Sequence, residues 1–170
     1  MLLMINKFSQ LSFSKLVRVH AESLTQNFSS RGSTSDVQMR EAEQEFYNYL
    51  KFVFFHQDKA CYAVWEESKQ YVSALRLEPY LDGYLICALE TAPEYRRLGF
   101  AEKLVTGLQG FLSNSSAGKL YSHISKRNTA SLTLHQNCGF QIIKDYAKYL
   151  DGSVYHDHVT MLYEFEKTES

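Results

Sequence analysis

The chain has 170 residues, 45% hydrophobic and 22% charged, close to average globular usage, so a single domain over 1–170 with one core is expected, not a disordered or fibrous protein. A formal net charge of −1 with no Lys/Arg run argues against a nucleic-acid-binding face, although it leaves room for a local phosphate site. MLLMIN is too short for a signal core and no apolar run is long enough to span a bilayer, so a cytoplasmic location without a membrane partner is expected.

The three cysteines, Cys61, Cys87 and Cys138, are widely spaced, odd in number and free of any C-x-x-C arrangement. Neither a disulfide framework nor a structural zinc site is expected from them.

In chain order, Phe13, Leu16, Val17, His20 and Leu24 fall at helical spacing and predict a helix from about Gln10 to Phe28. SSRGSTSD, Ser29 to Asp36, reads as a loop, and Ser35 with Gln38 forms a capping-box pattern that opens a second helix. Ala42, Phe46, Leu50 and Val53 form its apolar stripe, and Glu41, Glu43 and Glu45 its solvated face.

From Lys59 the period changes: CYAVWEE, YVSALRLEPYLDG and YLICALET read as three strands separated by turns at Glu67-Ser68 and Asp82-Gly83. FAEKLVTGLQGFL is a strong helix, striped by Ala101, Leu104, Val105, Leu108, Phe111 and Leu112. KLYSHIS follows as a strand, NTASLTLHQN as a short helix, GFQIIKDYAKYL as a strand, and VYHDHVTMLYEFE as one long final strand. This order predicts an α/β fold: a mixed, mostly antiparallel central sheet with helices on both faces.

Arg96, Arg97, Leu98, Gly99, Phe100 and Ala101 lie between a strand and the best helix, where backbone N–H groups point outward unpaired. Gly99 and Ala101 permit close approach, and the helix N-terminus carries roughly half a positive charge, so a phosphate or pyrophosphate is the natural occupant. The sequence holds neither G-x-x-x-x-G-K-[ST] nor a G-x-G-x-x-G after its first strand, which disfavours nucleotide hydrolysis and a dinucleotide fold.

LETAPEYRRLGFA, Leu89 to Ala101, resembles the coenzyme A pyrophosphate-binding motif of the GNAT superfamily of N-acetyltransferases, [Q/R]-x-x-G-x-[G/A] between strand and helix. Asn128, Ser131, Leu134, His135, Gly139 and Phe140 resemble that family's second motif, an asparagine-headed helix ending in Gly-Phe. The resemblance covers roughly Tyr84 to Phe140; the N-terminal helices and C-terminal strands agree with it only in element order. It implies acetyl-CoA as co-substrate, no metal, and transfer of the acetyl group to a primary amine of a small molecule or peptide. In that family the fourth strand parts from its neighbour and its backbone, here Leu89 to Thr91, holds the pantetheine arm. Asn128 and Ser131 would stand on the opposite wall.

The same resemblance implies direct attack by the amine without an acyl-enzyme. An amine with a pKa near about 10 must lose a proton, the developing oxyanion needs an N–H donor, and the departing thiolate needs a proton. Glu90 is the carboxylate expected nearest the thioester, with Tyr121 and His123 as alternatives and a solvent-exposed strand-end glutamate as the bland reading. His135 stands where many members carry a tyrosine that protonates the sulfur. It is either a replacement donor, favoured in its charged form near a helix C-terminus, or a residue that only orders coenzyme A or packs beside Leu134.

Ser131, His135 and Cys138 share a helical face, but no orienting group or anion hole is evident for Cys138, which is expected to be a buried thiol. His156 and His158 alternate on the predicted last strand, with Tyr155, Val159, Met161, Tyr163 and Phe165 on its apolar face, yet no third metal ligand is evident. A second function class, a coenzyme A-binding regulatory or interaction module, is compatible with the missing tyrosine. Pairing of two copies through the C-terminal strands, giving a homodimer, is compatible with either. The acceptor is expected against the loop 29–36 and the aromatic second helix.

Overall fold

The computed structural model describes residues 1–26 and 35–166. Strand β1 (Leu2–Ile5) leads through a short 3-10 turn to helices α1 (Phe13–Gln26) and α2 (Asp36–Phe52). Strands β2 (Cys61–Glu67), β3 (Gln70–Tyr80) and β4 (Gly83–Thr91) follow as a meander. Helix α3 (Phe100–Leu112) crosses to β5 (Lys119–Ser125), and α4 (Thr129–Asn137) leads to β6 (Gln141–Lys144). The chain ends with β7 (Ala147–Lys148), β8 (Val154–Tyr155) and β9 (His158–Glu164).

Seven strands form one sheet in the order β1-β2-β3-β4-β5-β9-β6, parallel only between β4 and β5, while β7 and β8 pair as a separate ribbon. Period-two alternation assigns successive residues to opposite faces. Ala63, Leu75, Leu77, Ile86 and Leu120 pack under Leu104, Val105 and Leu108 of α3. Tyr62, Val64 and Ala74 pack under Leu16 and Val19 of α1 and Leu50 of α2. The predicted mixed sheet with helices on both faces is the observed one.

Local chemistry explains the boundaries. Ser35 Oγ accepts from the Gln38 N–H at 3.2 Å and Gln38 Oε1 accepts from the Ser35 N–H at 3.0 Å, the expected reciprocal cap. Helix α1 starts three residues later than expected, at Phe13, because a 3-10 turn over Phe8–Gln10 precedes it. Its expected end at Phe28, and residues 29–34 of the expected loop, lie outside the described residues. Val53 lies past the end of α2 and is exposed, and Phe111 on α3 is exposed as well, so neither belongs to the core stripe predicted for it.

The C-terminal part differs most. The predicted strand 139–150 is broken between β6 and β7, and the predicted last strand is broken at His156-Asp157. His156 therefore sits in a turn instead of sharing a strand face with His158, and Tyr155 is 47% exposed while Val159 and Met161 are buried. Among the described residues, no group of His, Cys, Asp or Glu is arranged to hold a metal ion.

The feature that positions the site is a parting of strands. β4 and β5 pair only at Tyr84↔Leu120, Leu85↔Tyr121 and Ile86↔Ser122, although β4 runs on to Thr91 and β5 to Ser125. A bulge on β4 assists: Arg76 faces Cys87 and Ala74 faces Glu90, so β4 spends one extra residue, with Ala88 at φ 50°.

Candidate active site

Helix α3 begins at Gly99, whose φ of 78° and ψ of 11° are left-handed values that a residue without Cβ adopts readily. The first bond into the helix runs from the Lys103 N–H to the Gly99 carbonyl, so the N–H groups of Phe100, Ala101 and Glu102 open the helix without a helical acceptor. A cavity of about 690 Å³ lies before them, lined on one side by Leu89, Glu90 and Thr91 of β4 and on the other by Asn128, Ser131 and Leu134. Arg96, Arg97, Gly99, Phe100 and Ala101 complete the wall. A second space of about 260 Å³ lies in the gap between β4 and β5, walled by Leu89, Asn128, Ser131, His135, His123 and His158.

Nearly all of the residues read as cofactor-binding are thus brought together, but two behave differently from expectation. Leu98 is 59% exposed and its side chain is outside the cavity wall. Arg96 lines the cavity with its guanidinium already engaged: it pairs with Glu22 of α1, which lines the same cavity, and its Nε donates to the Thr91 carbonyl at 3.2 Å. Its charge is spent on holding the end of β4 against α1.

Asn128 caps α4, its Oδ1 accepting from the Ser131 N–H at 3.1 Å, and Gly139 ends the helical segment with φ 85°. Cys138 is 6% exposed and burial pushes its thiol up to about 11, which suits the expected inert thiol. His135 is 1% exposed. Its Nδ1 donates to the Ser131 carbonyl at 2.8 Å, and its Nε2 is buried without a protein partner.

The expectation that helix position favours imidazolium at His135 is overturned. Burial lowers its pKa below the ordinary value and outweighs the opposing effect of the Ser131 carbonyl. With the proton on Nδ1, the resting ring keeps Nε2 as a buried, unpartnered acceptor on a residue that helps to wall the gap.

Glu90 sits at the parting of the strands with 22% of its side chain exposed. Its Oε1 lies 2.8 Å from Nδ1 of His20, a residue 3% exposed on α1, whose Nε2 lies 3.0 Å from the Tyr62 hydroxyl. Sequence reasoning placed His20 only in a helical stripe; a polar residue on an otherwise apolar face was the available signal. Glu22, Tyr95 and Ala130, which also line the larger cavity, had none. Tyr121, one alternative to Glu90, is occupied elsewhere, donating to Asp82 at 2.6 Å. His123, the other, holds both ring nitrogens buried without a partner, and its pKa falls to about 4 through burial and the nearby His158.

The sequence profile of the acetyltransferase (GNAT) family matches residues 22–140, from α1 to the Gly-Phe pair after α4. The chain belongs to the GNAT acetyltransferase family. By that membership it is an acetyl-CoA-dependent N-acyltransferase. No curated protein matches it in sequence. Among solved structures it is similar to the PaiA N-acetyltransferase from Thermoplasma acidophilum in complex with coenzyme A, at TM-score 0.67 and 11% identity over 97% of this chain and 99% of that one. It is also similar to a ribosomal-protein-alanine N-acetyltransferase from Brucella melitensis, at TM-score 0.63 and 17% identity, covering 96% of this chain and 99% of that one. A variant of the spermidine N-acetyltransferase SpeG from Vibrio cholerae aligns at TM-score 0.62 and 18% identity, covering 96% of this chain and 94% of that one.

At such identities these likenesses speak for the fold, and the GNAT assignment rests on the profile match. No helix among the described residues is long and apolar enough to cross a membrane.

Proposed function

We propose that this GNAT protein, a single domain, moves the acetyl group of acetyl-CoA to a primary amine of a small molecule or peptide by direct attack. One observation carries the reading: the cavity bordered by the open N-terminus of α3 and by Glu90 adjoins the space between the parted β4 and β5, the two sharing Leu89, Asn128 and Ser131 as wall.

The site fits coenzyme A on its own terms. The unpaired N–H groups of Phe100 and Ala101 suit a pyrophosphate, and β4 from Leu89 to Thr91, still paired with β3, has no β5 partner on its other edge, where an amide-bearing arm can pair. Bound there, acetyl-CoA supplies an activated acyl carbon with a thiolate leaving group. Glu90 takes a proton from the acceptor ammonium, the freed nitrogen bonds to that carbon, and as the C–S bond breaks the second proton shed by the nitrogen passes to the departing thiolate, leaving an amide and a free thiol. A β4 backbone N–H steadies the charge that develops on the carbonyl oxygen. Asn128 and Ser131 form the facing wall.

His135 orders the arm through its bare Nε2, which accepts an N–H or S–H, in place of delivering a proton. The acetyltransferase neighbours are named for polyamine and ribosomal-protein substrates, so the fold leaves the acceptor open.

The test is release of free thiol from acetyl-CoA across polyamines, amino acids, aminoglycosides and peptides, beside calorimetric binding of coenzyme A. Turnover with any amine supports the reading. Tight binding without turnover across the panel would instead favour a regulatory coenzyme A-binding module.

A further inference from the structure

The buried end of the site holds a polar chain that the proposed chemistry has not used. His20 is enclosed by the edge of Phe46, with ring centroids 5.6 Å apart, and by Tyr62, itself wholly buried against Phe54. A histidine placed this deep would be a liability unless both ring nitrogens were satisfied, and here both are.

We propose that Tyr62 and His20 are positioning residues for Glu90, a hydrogen-bonded triad that fixes the tautomer of His20, occupies one carboxylate oxygen and presents the other to the acceptor amine. This inference rests on the reading of Glu90 as the base. The Tyr62 phenol is shielded from water, and burial pushes its pKa well up, so it keeps its proton. That O–H donates to His20 Nε2 at 3.0 Å, which places the ring proton on Nδ1. Nδ1–H then donates to Glu90 Oε1 at 2.8 Å. With a neutral ring and an ionised carboxylate, this is the one arrangement that satisfies all three.

The result resembles a nucleophile triad turned around: the carboxylate stands at the reacting end and the tyrosine is the buried anchor. Holding Oε1 removes rotational freedom from a glutamate with three side-chain torsions, and leaves Oε2 as the free acceptor at the edge of the cavity. Within the triad only Glu90 takes up a proton, from the acceptor ammonium; His20 and Tyr62 hold theirs. Tyr62 is also within the field of Arg76, whose guanidinium lies over the Tyr49 and Phe54 rings at 5.4 and 5.9 Å.

The experiment compares His20→Phe, His20→Asn, Tyr62→Phe, Glu90→Gln and the double variant His20→Phe/Glu90→Gln, each checked by thermal melting and coenzyme A affinity. Glu90→Gln is expected to lower kcat by about a hundredfold or more and His20→Phe by about tenfold, with KM for acetyl-CoA within about twofold. His20→Asn, whose amide N–H replaces Nδ1–H, should recover most of that loss. Adding His20→Phe to Glu90→Gln should cost little more, because His20 acts through Glu90. The His20→Phe loss should also shrink for an acceptor amine that is already neutral at assay pH, a difference that a purely structural role would not produce.

Folded His20→Phe protein with unchanged kcat, beside an inactive Glu90→Gln, overturns the triad and leaves the base intact. Equal loss in His20→Asn and His20→Phe, or full additivity in the double variant, overturns it too. A fully active Glu90→Gln overturns the base reading and the triad together.

Discussion

His123 provides a quantitative test of the gap between β4 and β5. Its ring stands between Tyr149, 4.6 Å away, and Tyr80, 5.3 Å away, and both its nitrogens lack a partner. The folded pKa of about 4 against an ordinary 6.5 means that the unfolded chain binds this proton over a pH range where the native protein refuses it. Stability is therefore fully present above about pH 6.5 and is lost as pH falls toward 4. Linkage gives a loss of about 2.5 kcal/mol by pH 4.5 for a fully shielded ring, and halving this for a half-buried one leaves about 1.3 kcal/mol. For a chain of this length that is a shift of about 3 to 5 °C in Tm. The assay is urea unfolding of the native protein and of His123→Leu at pH 7.5 and pH 4.5. The variant should lose about 1.3 kcal/mol less than the native protein on acidification. Parallel losses in the two proteins would refute the shielded, neutral His123.

Gly99→Ala meets no atom within 4 Å and strains only the backbone at φ 78°, so it should cost about 1 kcal/mol, or 2 to 4 °C in Tm, while retaining coenzyme A binding. Gly99→Glu adds a carboxylate beside the pyrophosphate site and should weaken binding by about a hundredfold in calorimetry, since two negative charges about 5 Å apart at an effective dielectric of 20 repel by about 3 kcal/mol. Arg96→Ala frees the Glu22 carboxylate at the cavity wall and unties Thr91, so coenzyme A affinity should fall several-fold and recover in part when Glu22→Gln is added. His135→Phe should raise KM for acetyl-CoA while leaving the shape of the kcat profile between pH 6 and 9 unchanged; loss of a titrating limb would restore the proton-donor reading.

What could be read from residues alone was whatever repeats locally. The capping box at Ser35 and Gln38, the stripe of α3, the alternation of Tyr62, Ala63 and Val64, and the glycines at 99 and 139 each act within a turn or two of chain. So the elements, their order and the glycine turn that opens α3 were legible. The last hairpin was not, because VYHDHV alternates like a strand while its chain reverses at His156-Asp157. The Lys126 N–H and Nζ, bonding to the Asp157 and His156 carbonyls, help to hold that turn from across the fold.

The chemistry of the site shows the same divide. Arg96 read as a phosphate ligand because its position in R-x-x-G-x-A is a local fact, whereas its pairing with Glu22 spans 74 residues. Glu90 read as an isolated carboxylate because the partner that gives it a fixed geometry, His20, lies 70 residues earlier on a helix whose other inward residues are apolar. Such a histidine has a cost in a core that only a long-range contact can offset, so its presence on a buried stripe was itself information. A buried polar residue with no local partner points to a partner elsewhere, and in a chain with one carboxylate at the end of a parted strand the number of places it could reach is small.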